Sequence, residues 1–245
     1  MKSYKDAIAF QCLKETKYDR SSIFRKDNIG QIPTPPRYKT YPDVLLIPLP
    51  EPRFENTDSL WSILKERRSR RRYAYEPISL DTLATLLWAT QGITHSTHGY
   101  EFRTAPSAGA LYPVETYLAI HNVSGLQPGI YHFNVAEFAL EEINPGNFAD
   151  RLRRAAMDQG VVSRAATVFI WTAVVLRSMS KYRDRCIRYI FMDAGHIAQN
   201  LHLAATALDL GCCPIGAFYD DDVNELIKVD GKEETTIYLG AVGKR

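Results

Sequence analysis

Nowhere in the 245 residues do about 18 apolar residues follow one another, the length a helix needs to cross a bilayer. The opening Met1-Lys-Ser-Tyr-Lys-Asp also lacks the apolar stretch of a secretory signal, so the expectation is a cytoplasmic protein without membrane contact. Cysteine is scarce: Cys12, Cys186, Cys212 and Cys213 show no CxxC spacing, and adjacent Cys212 and Cys213 could join only through a strained ring. Reduced thiols are the expectation. Six scattered histidines and no HExxH give no ground for a metal site. No GxGxxG follows a strand and no GxxxxGK(S/T) occurs, so neither common way of cradling a nucleotide phosphate is available. Charge of one sign is not in excess. Lys and Arg total 30 against 28 Asp and Glu, a net charge of +2 that offers no general attraction for nucleic acid.

What is present is ordinary globular material, 45% apolar and 24% charged, enough for one large domain or two small ones. Residues 1 to about 55 read as an N-terminal extension that wraps a neighbour, because Ile32-Pro-Thr-Pro-Pro-Arg and Ile47-Pro-Leu-Pro-Glu-Pro cannot sustain helices. Within it, Asp6 to Thr16 can form a short helix with Ile8, Cys12 and Leu13 as its apolar positions. The body, residues 56–245, opens with a helix carrying Leu60, Trp61 and Leu64 and running into Arg67-Arg-Ser-Arg-Arg-Arg72. Five positive charges in six residues form either a solvated face or an anion patch. Ser69, a compact donor inside the run, and Tyr73 behind it favour a specific anion, and arginine forks suit a buried phosphate monoester.

Ser79 is an N-cap with Thr82 at N3, and Leu83, Leu86, Leu87 and Ala89 share a face of a helix ending near Gln91-Gly92. Next comes Arg103-Thr-Ala-Pro-Ser-Ala-Gly-Ala-Leu-Tyr-Pro-Val-Glu115, which sets Ser107 to Ala110 in a corner before a strand. Without a Cβ on Gly109 the main chain can approach a planar ring and offer polar groups to its edge. A tight loop that merely packs closely is the other reading. Val114 to His121 alternates as a strand, Gly129–Phe133 and Glu137–Ile143 read as a hairpin, and Thr167 to Leu176 suits a central strand. Phe148 to Gln159 looks helical, with Arg151, Arg153 and Arg154 on its wet side. The longest helix opens at Lys181 and stops at Gly211, with Tyr189, Met192, His196, Ile197, Asn200, Leu201, Ala204, Ala207 and Leu208 at helical spacing. That stripe suits a core helix or a dimer seam, and its polar residues, including His196, are most simply partners within the fold. A second small corner, Pro214-Ile-Gly-Ala-Phe218, precedes a helix from Val223 to Ile227 and a strand from Thr235 to Val242. Strands and helices mix without strict alternation, which argues α+β.

Five segments together carry a family resemblance: Arg67-Arg-Ser-Arg-Arg-Arg-Tyr73, Leu86-Leu-Trp-Ala-Thr-Gln-Gly-Ile93, the 103–115 stretch, Lys181-Tyr-Arg-Asp-Arg185, and Asp193-Ala-Gly-His-Ile-Ala-Gln-Asn-Leu201. In that order they resemble the SagB-type branch of the FMN-dependent nitroreductase superfamily, and Lys14-Glu-Thr-Lys17 resembles that branch's arm, so the likeness covers roughly residues 12 to 245. The resemblance implies a nitroreductase-like α+β fold, a mostly antiparallel central sheet flanked by helices, and an intertwined homodimer with FMN at the subunit interface. It implies that Arg67, Arg68, Ser69 and Arg71 hold the phosphate, ribityl chain or pyrimidine edge, and that Pro106, Ser107, Ala108 and Gly109 lie along the ring. Gly216 and Ala217 would place N–H groups near the flavin N5, with Lys244 and Arg245 closing a phosphate clamp.

SagB-type members typically oxidise azolines to azoles in ribosomally made peptides beside a cyclodehydratase, which implies that partner and a peptide-like substrate here. Aromatisation needs a base, and the resemblance assigns that role to Lys181 and Tyr182. A lysine beside Arg183 and Arg185 and away from water releases its proton more readily; the other reading of Lys181 is an exposed cation. The branch usually has glycine where Arg183 stands and glutamate where Asp193 stands, departures that bear on substrate choice. Open alternatives are a general NAD(P)H-dependent nitro or quinone reductase and a non-catalytic flavin-fold scaffold in a modification complex.

Overall fold

The computed structural model describes residues 7–18, 30–54, 58–97 and 99–245. Asp6 of the expected first helix therefore lies outside the described residues, as do positions 19–29 of the extension and 55–57 where it meets the body. Among the described residues there are nine strands, β1 (Leu46–Pro48), β2 (Ile93–Thr97), β3 (Tyr100–Arg103), β4 (Val114–Ile120), β5 (Gly129–Asn134), β6 (Ala139–Pro145), β7 (Thr167–Val174), β8 (Leu210–Ile215) and β9 (Glu234–Lys244). Seven of them form one sheet in the order β1-β6-β5-β4-β7-β9-β8, every pairing antiparallel, and β2 and β3 make a separate hairpin. The expected α+β architecture with a central antiparallel sheet is what the chain adopts.

Helices cover both faces. They are α1 (Ile8–Glu15), α2 (Leu60–Glu66), α3 (Leu80–Gln91), α4 (Ala149–Ala155), α5 (Gly160–Arg164), α6 (Val175–Tyr182), α7 (Cys186–Ala207) and α8 (Asp220–Ile227). All seven residues of β4 are buried, and the two-residue repeat of a strand splits them. Leu118 and Ile120 enter the core shared with Leu83 and Leu87 of α3 and Ile197 and Leu201 of α7. Tyr117 and Ala119 enter the opposite core, with Leu152 of α4, Val162 of α5 and Leu226 of α8. A three-layer arrangement follows.

Local chemistry sets several boundaries as expected. Ser59 and Ser79 each accept an N–H bond from three residues on, from Ser62 and Thr82, and start α2 and α3. α3 ends where Gly92 leaves the helix at ψ 143, and the position suits glycine because a Cβ there would sit 2.3 Å from the Trp88 ring. Three expectations need correcting. The long helix does not open at Lys181: α6 ends at Tyr182, Arg183 takes φ 49 and ψ −141, and after one 3-10 turn α7 begins at Cys186. Gly211 is no helix stop. It lies inside β8, where a Cβ would stand 2.7 Å from the Tyr73 ring, so this glycine admits a side chain packed flat on the sheet edge. The single helix expected over 148–159 breaks after Ala155, where Met157 and Asp158 take positive φ of 55 and 58, and α5 starts afresh at Gly160.

The stripe on α7 is also turned from the expected one. Its buried face is Cys186, Ile190, Asp193, Ala194, Ile197, Ala198, Leu201, His202, Ala205 and Thr206. Phe191, Met192, Gly195, His196 and Gln199 face outward in the single chain. Gly240 of β9 lets α7 sit close, since a Cβ there would meet both Leu201 and Trp171 at 2.9 Å.

The described extension packs on its own body. Pairing of β1 with β6 adds it to the sheet, and Tyr38, Ile47 and Leu49 lie against the core. Polar contacts do the rest. Arg177 Nε donates to the Pro36 carbonyl at 2.8 Å, Lys39 Nζ meets Glu234 Oε2 at 2.5 Å, and the Tyr41 N–H donates to Glu141 at 3.1 Å.

Candidate functional site

The arginine run is held straight along a sheet edge. Ser69 bridges Cys212 in parallel, the Arg70 N–H donates to the Cys212 carbonyl at 2.9 Å, and the Ala74 N–H donates to the Lys244 carbonyl at 3.0 Å. Tyr73 anchors it. Its ring fills the space left by Gly211 and Gly243, and its hydroxyl donates to the Ala241 carbonyl at 3.0 Å. Burial drives the Tyr73 phenol pKa well upward, so this group stays protonated and structural. Among the described residues none of Arg67, Arg68, Arg70, Arg71 and Arg72 pairs with a carboxylate. The backbone of the run is pinned while Arg68, Arg70, Arg71 and Arg72 are exposed and Arg67 is half-buried, and guanidinium groups without a counter-charge among the described residues suit a phosphate. Burial raises the Cys213 thiol pKa against the opposing pull of Arg71, which keeps that thiol neutral beside the cluster.

Lys244 is exposed at the same edge, next to the Ala74 contact. Arg245 is engaged elsewhere: its Nη1 meets Asp209 at 2.7 Å and its Nε donates to the Leu210 carbonyl at 3.2 Å. Gly216 and Ala217 follow β8 directly and are both exposed, and the Ala217 carbonyl accepts from Gln159 at 2.8 Å. That corner therefore lies at the surface, just beyond the strand that carries Cys212.

The second corner is clasped by Asp193. Ser107 Oγ donates to Asp193 Oδ2 at 2.6 Å, the Ala108 N–H donates to Oδ1 at 3.3 Å, and the Tyr112 N–H donates back to Ser107 Oγ at 2.9 Å. Burial raises the Asp193 pKa against the lowering effect of those bonds. Asp193 thereby acts within the fold, as expected for the polar residues of this helix. Asn200, which donates to the Ala89 carbonyl, and His202, whose ring lies 3.2 Å from the Arg68 carbonyl, do likewise. His196 and Gln199 are exposed instead.

Gly109 takes φ 66 and ψ 17, and the space a Cβ would fill is occupied by two side chains. Such a Cβ would lie 2.6 Å from Tyr182 Oη and 2.8 Å from Lys181 Nζ. The glycine corner and the Lys181–Tyr182 pair are thus one cluster, although 72 residues separate Gly109 from Lys181 in sequence. Lys181 is exposed, so the burial argued for it is not supplied by the chain alone.

The two clusters sit at different levels of α7. Asp193 supports the Gly109 corner and His202 supports Arg68; nine residues of helix put these supports about 13 Å apart along the axis.

Sequence reasoning missed the buried ion network between the corner and the extension. His132 is fully buried, 2.7 Å from Glu141 and 3.3 Å from Glu115, and Glu115 lies 2.6 Å from Arg177. Arg103 completes it, donating to Gln91 at 2.7 Å with its guanidinium 4.5 Å from the Tyr112 ring centre. Burial alone would neutralise Glu115, but the His132 bond and the charges of Arg177, His132 and Arg103 outweigh it and hold the carboxyl at about 2. Burial likewise opposes the charge on His132, and its bonds to Glu115 and Glu141 outweigh that and raise its pKa. The available signal was Glu115, His132 and Glu141 at inward strand positions, unreadable without the strand register.

Comparison with known proteins adds the family. The family model described as "Nitroreductase family" matches residues 64–244. A Methanocaldococcus jannaschii protein named as a nitroreductase is 36% identical over 186 residues, covering 76% of this chain and 91% of its own length. The trifolitoxin-processing protein TfxB of Rhizobium leguminosarum is 32% identical over 143 residues, 54% of this chain and 38% of that protein. A crystal structure described as a nitroreductase from Anabaena variabilis superposes with a TM-score of 0.73 at 32% identity, covering 84% of this chain and 43% of that one. Against the last two, the chain spans less than half of the longer relative. No helix of the described residues is long and apolar enough to cross a membrane, and no group of three or more possible metal ligands occurs among them.

Proposed function

The chain belongs to the nitroreductase family, and from that membership we propose that it is an FMN-dependent oxidoreductase of SagB type that oxidises an azoline or similar unit in a peptide-like substrate. The observation that carries the reading is the Lys181–Tyr182 pair packed against Gly109, since this reaction needs a proton acceptor beside the place where a flat ring can lie. The relative that processes trifolitoxin supports the substrate class.

Arg67, Arg68, Ser69 and Arg71, with Lys244, would hold the phosphate and ribityl chain, because the arginine charges have no carboxylate partner among the described residues and the backbone of the run is pinned to β8 and β9. Pro106 to Gly109 would lie along the ring, and the N–H groups of exposed Gly216 and Ala217 would face its polar edge. When bound, FMN supplies a two-electron acceptor for the hydride leaving the substrate carbon. Lys181 and Tyr182 take the proton released from the neighbouring carbon, so that one C–H pair of electrons leaves and a new C=C bond closes the aromatic ring. Arg245, tied to Asp209, has a smaller share in anion binding than Lys244.

The site is completed across a homodimer in this reading, because Lys181 is exposed in the single chain and a partner would cover it. The outward stripe of Phe191, Met192 and Gly195 on α7 and the exposed Trp61 on α2 offer the apolar surface that such pairing would cover. A cyclodehydratase is the partner this chemistry requires, since an azoline must first be made.

The test is a thiazoline-containing peptide incubated with flavin-loaded protein and followed by mass spectrometry. Loss of two hydrogens is expected, and it should stop in Lys181→Ala and Tyr182→Phe at unchanged flavin occupancy. Full activity in both variants would refute the assignment. The nitroreductase name of the Methanocaldococcus relative favours a second reading, a general NAD(P)H-dependent reductase. NADPH oxidation with a nitroaromatic, untouched by either substitution, would select it.

A further inference from the structure

No residue of the first helix is buried. Every residue of α1 is exposed except half-buried Cys12, and Ile8 and Leu13, its expected apolar positions, are 81% and 57% exposed. Eight residues are too few to hold a helix in water unaided. Two arginines grip its C-terminal end, Arg185 of the turn after Lys181–Tyr182 and Arg188 in the first turn of α7. Arg188 donates from Nη2 to the Leu13 carbonyl and from Nε to Thr16 Oγ1, both at 2.7 Å. Arg185 Nη1 donates to the Thr16 carbonyl at 2.7 Å. These contacts satisfy carbonyls at the C-terminus of α1 with positive charge, and they make Thr16 the buried residue of the 7–18 segment, at 5% exposure.

Arg185 connects this segment to the site. Its guanidinium lies 4.2 Å from the centre of the Tyr18 ring, and its Nε donates to the Tyr189 hydroxyl at 3.1 Å. The Tyr189 ring in turn packs on Tyr182 with centres 4.6 Å apart and planes at 56°. The strand of contacts continues from Tyr182 Oη to Gly109. Between Tyr182 and Arg185 the backbone is strained: Arg183 takes φ 49 and ψ −141, a conformation that favours glycine. A residue held there keeps its place only if the surroundings over-determine it, and Arg183 Nη1 reaches the Gly30 carbonyl at 3.2 Å.

We propose that Arg185 is a positioning residue for the Lys181–Tyr182 pair: gripped by the Thr16 carbonyl and the Tyr18 ring, it orients Tyr189, which seats Tyr182 against Gly109. The extension thereby sets the geometry of the site. A role in turnover rests on the function proposed above, whereas the seating of Tyr182 does not.

The test places 3-fluorotyrosine at position 182 of the full chain and reads its fluorine resonance in flavin-free protein, where no reaction occurs. Arg185→Met and Tyr18→Ala should each move the signal toward the solvent-exposed value. A native signal in either Arg185→Met or Tyr18→Ala overturns the proposal. Should Arg185→Met fail to fold, Tyr18→Ala decides alone, because Tyr18 is exposed. In flavin-loaded protein Tyr18→Ala should lower kcat by about tenfold with KM unchanged, as expected for a misplaced group. If Lys181→Ala leaves turnover intact, the catalytic reading fails and the fluorine signal still decides the seating of Tyr182.

Discussion

At residue scale the site depends on one missing methyl group. Gly109 has left-handed backbone, and a Cβ would overlap Tyr182 Oη and Lys181 Nζ. Gly109→Ala should therefore cost about 1–2 kcal/mol in backbone strain and displace the pair. A denaturant midpoint and an azoline turnover assay measure the two effects separately. The buried network makes its own prediction. The raised pKa of His132 contributes stability that is complete below its ordinary 6.5 and is lost as pH rises through the folded value. Glu115, held at about 2, contributes stability that is complete above its ordinary 4.5 and is lost as pH falls toward 2. His121 opposes His132: burial lowers it to about 4, so its contribution is complete above 6.5 and fades as pH drops from 6.5 to 4. Burial lowers His202 in the same sense. Urea midpoints should accordingly peak near pH 6.5 and fall on both sides, and His132→Gln should flatten the alkaline fall. None of these contacts is a sequence neighbour, which is why residue types alone did not disclose them.

At element scale, caps and glycine contacts carry the placement. Ser79→Ala removes the bond that starts α3 and should cost about 1 kcal/mol, seen as a lower thermal midpoint without loss of the site. The segment 67–74 is positioned by Tyr73 lying in the recess of Gly211 and Gly243. Gly243→Ala, whose Cβ would stand 2.8 Å from that ring, should lift the segment and weaken flavin retention even though no phosphate contact is touched. Arg67→Ala and Arg71→Ala should each lower FMN affinity, by about ten- to a hundredfold for a lost charged hydrogen bond. Equilibrium dialysis with free FMN reads all three. The start of α3 was legible because its N-cap bond is local, three residues apart. The end of α6 was not. Lys181 to Ala207 keeps helical periodicity almost throughout, and the break at Arg183 comes from a backbone conformation that arginine does not announce. The strand β8 was missed for a related reason, since its glycine serves a ring 138 residues earlier in the chain.

At the scale of the whole molecule, the prediction is a yellow dimer. Phe191→Asp combined with Met192→Asp places charge on the exposed stripe of α7 and should yield monomers that retain less flavin, measured by sedimentation and by the flavin absorption band. Dimers of full colour would remove that face from consideration. The sequence by itself determined the α+β class, the cap of α3, the central strands β4 and β7, and the order of the five segments that resemble a flavin family, because each is written in neighbouring residues. Only the tertiary structure decided that Lys181 and Tyr182 meet Gly109, that Asp193 clasps Ser107, that the arginine run lies along β8, and that Glu115, His132 and Arg177 form one buried network. Those pairings join residues 17 to 143 positions apart, and sheet register and the seat of α7 bring them together, neither of which is set by any local run of side chains.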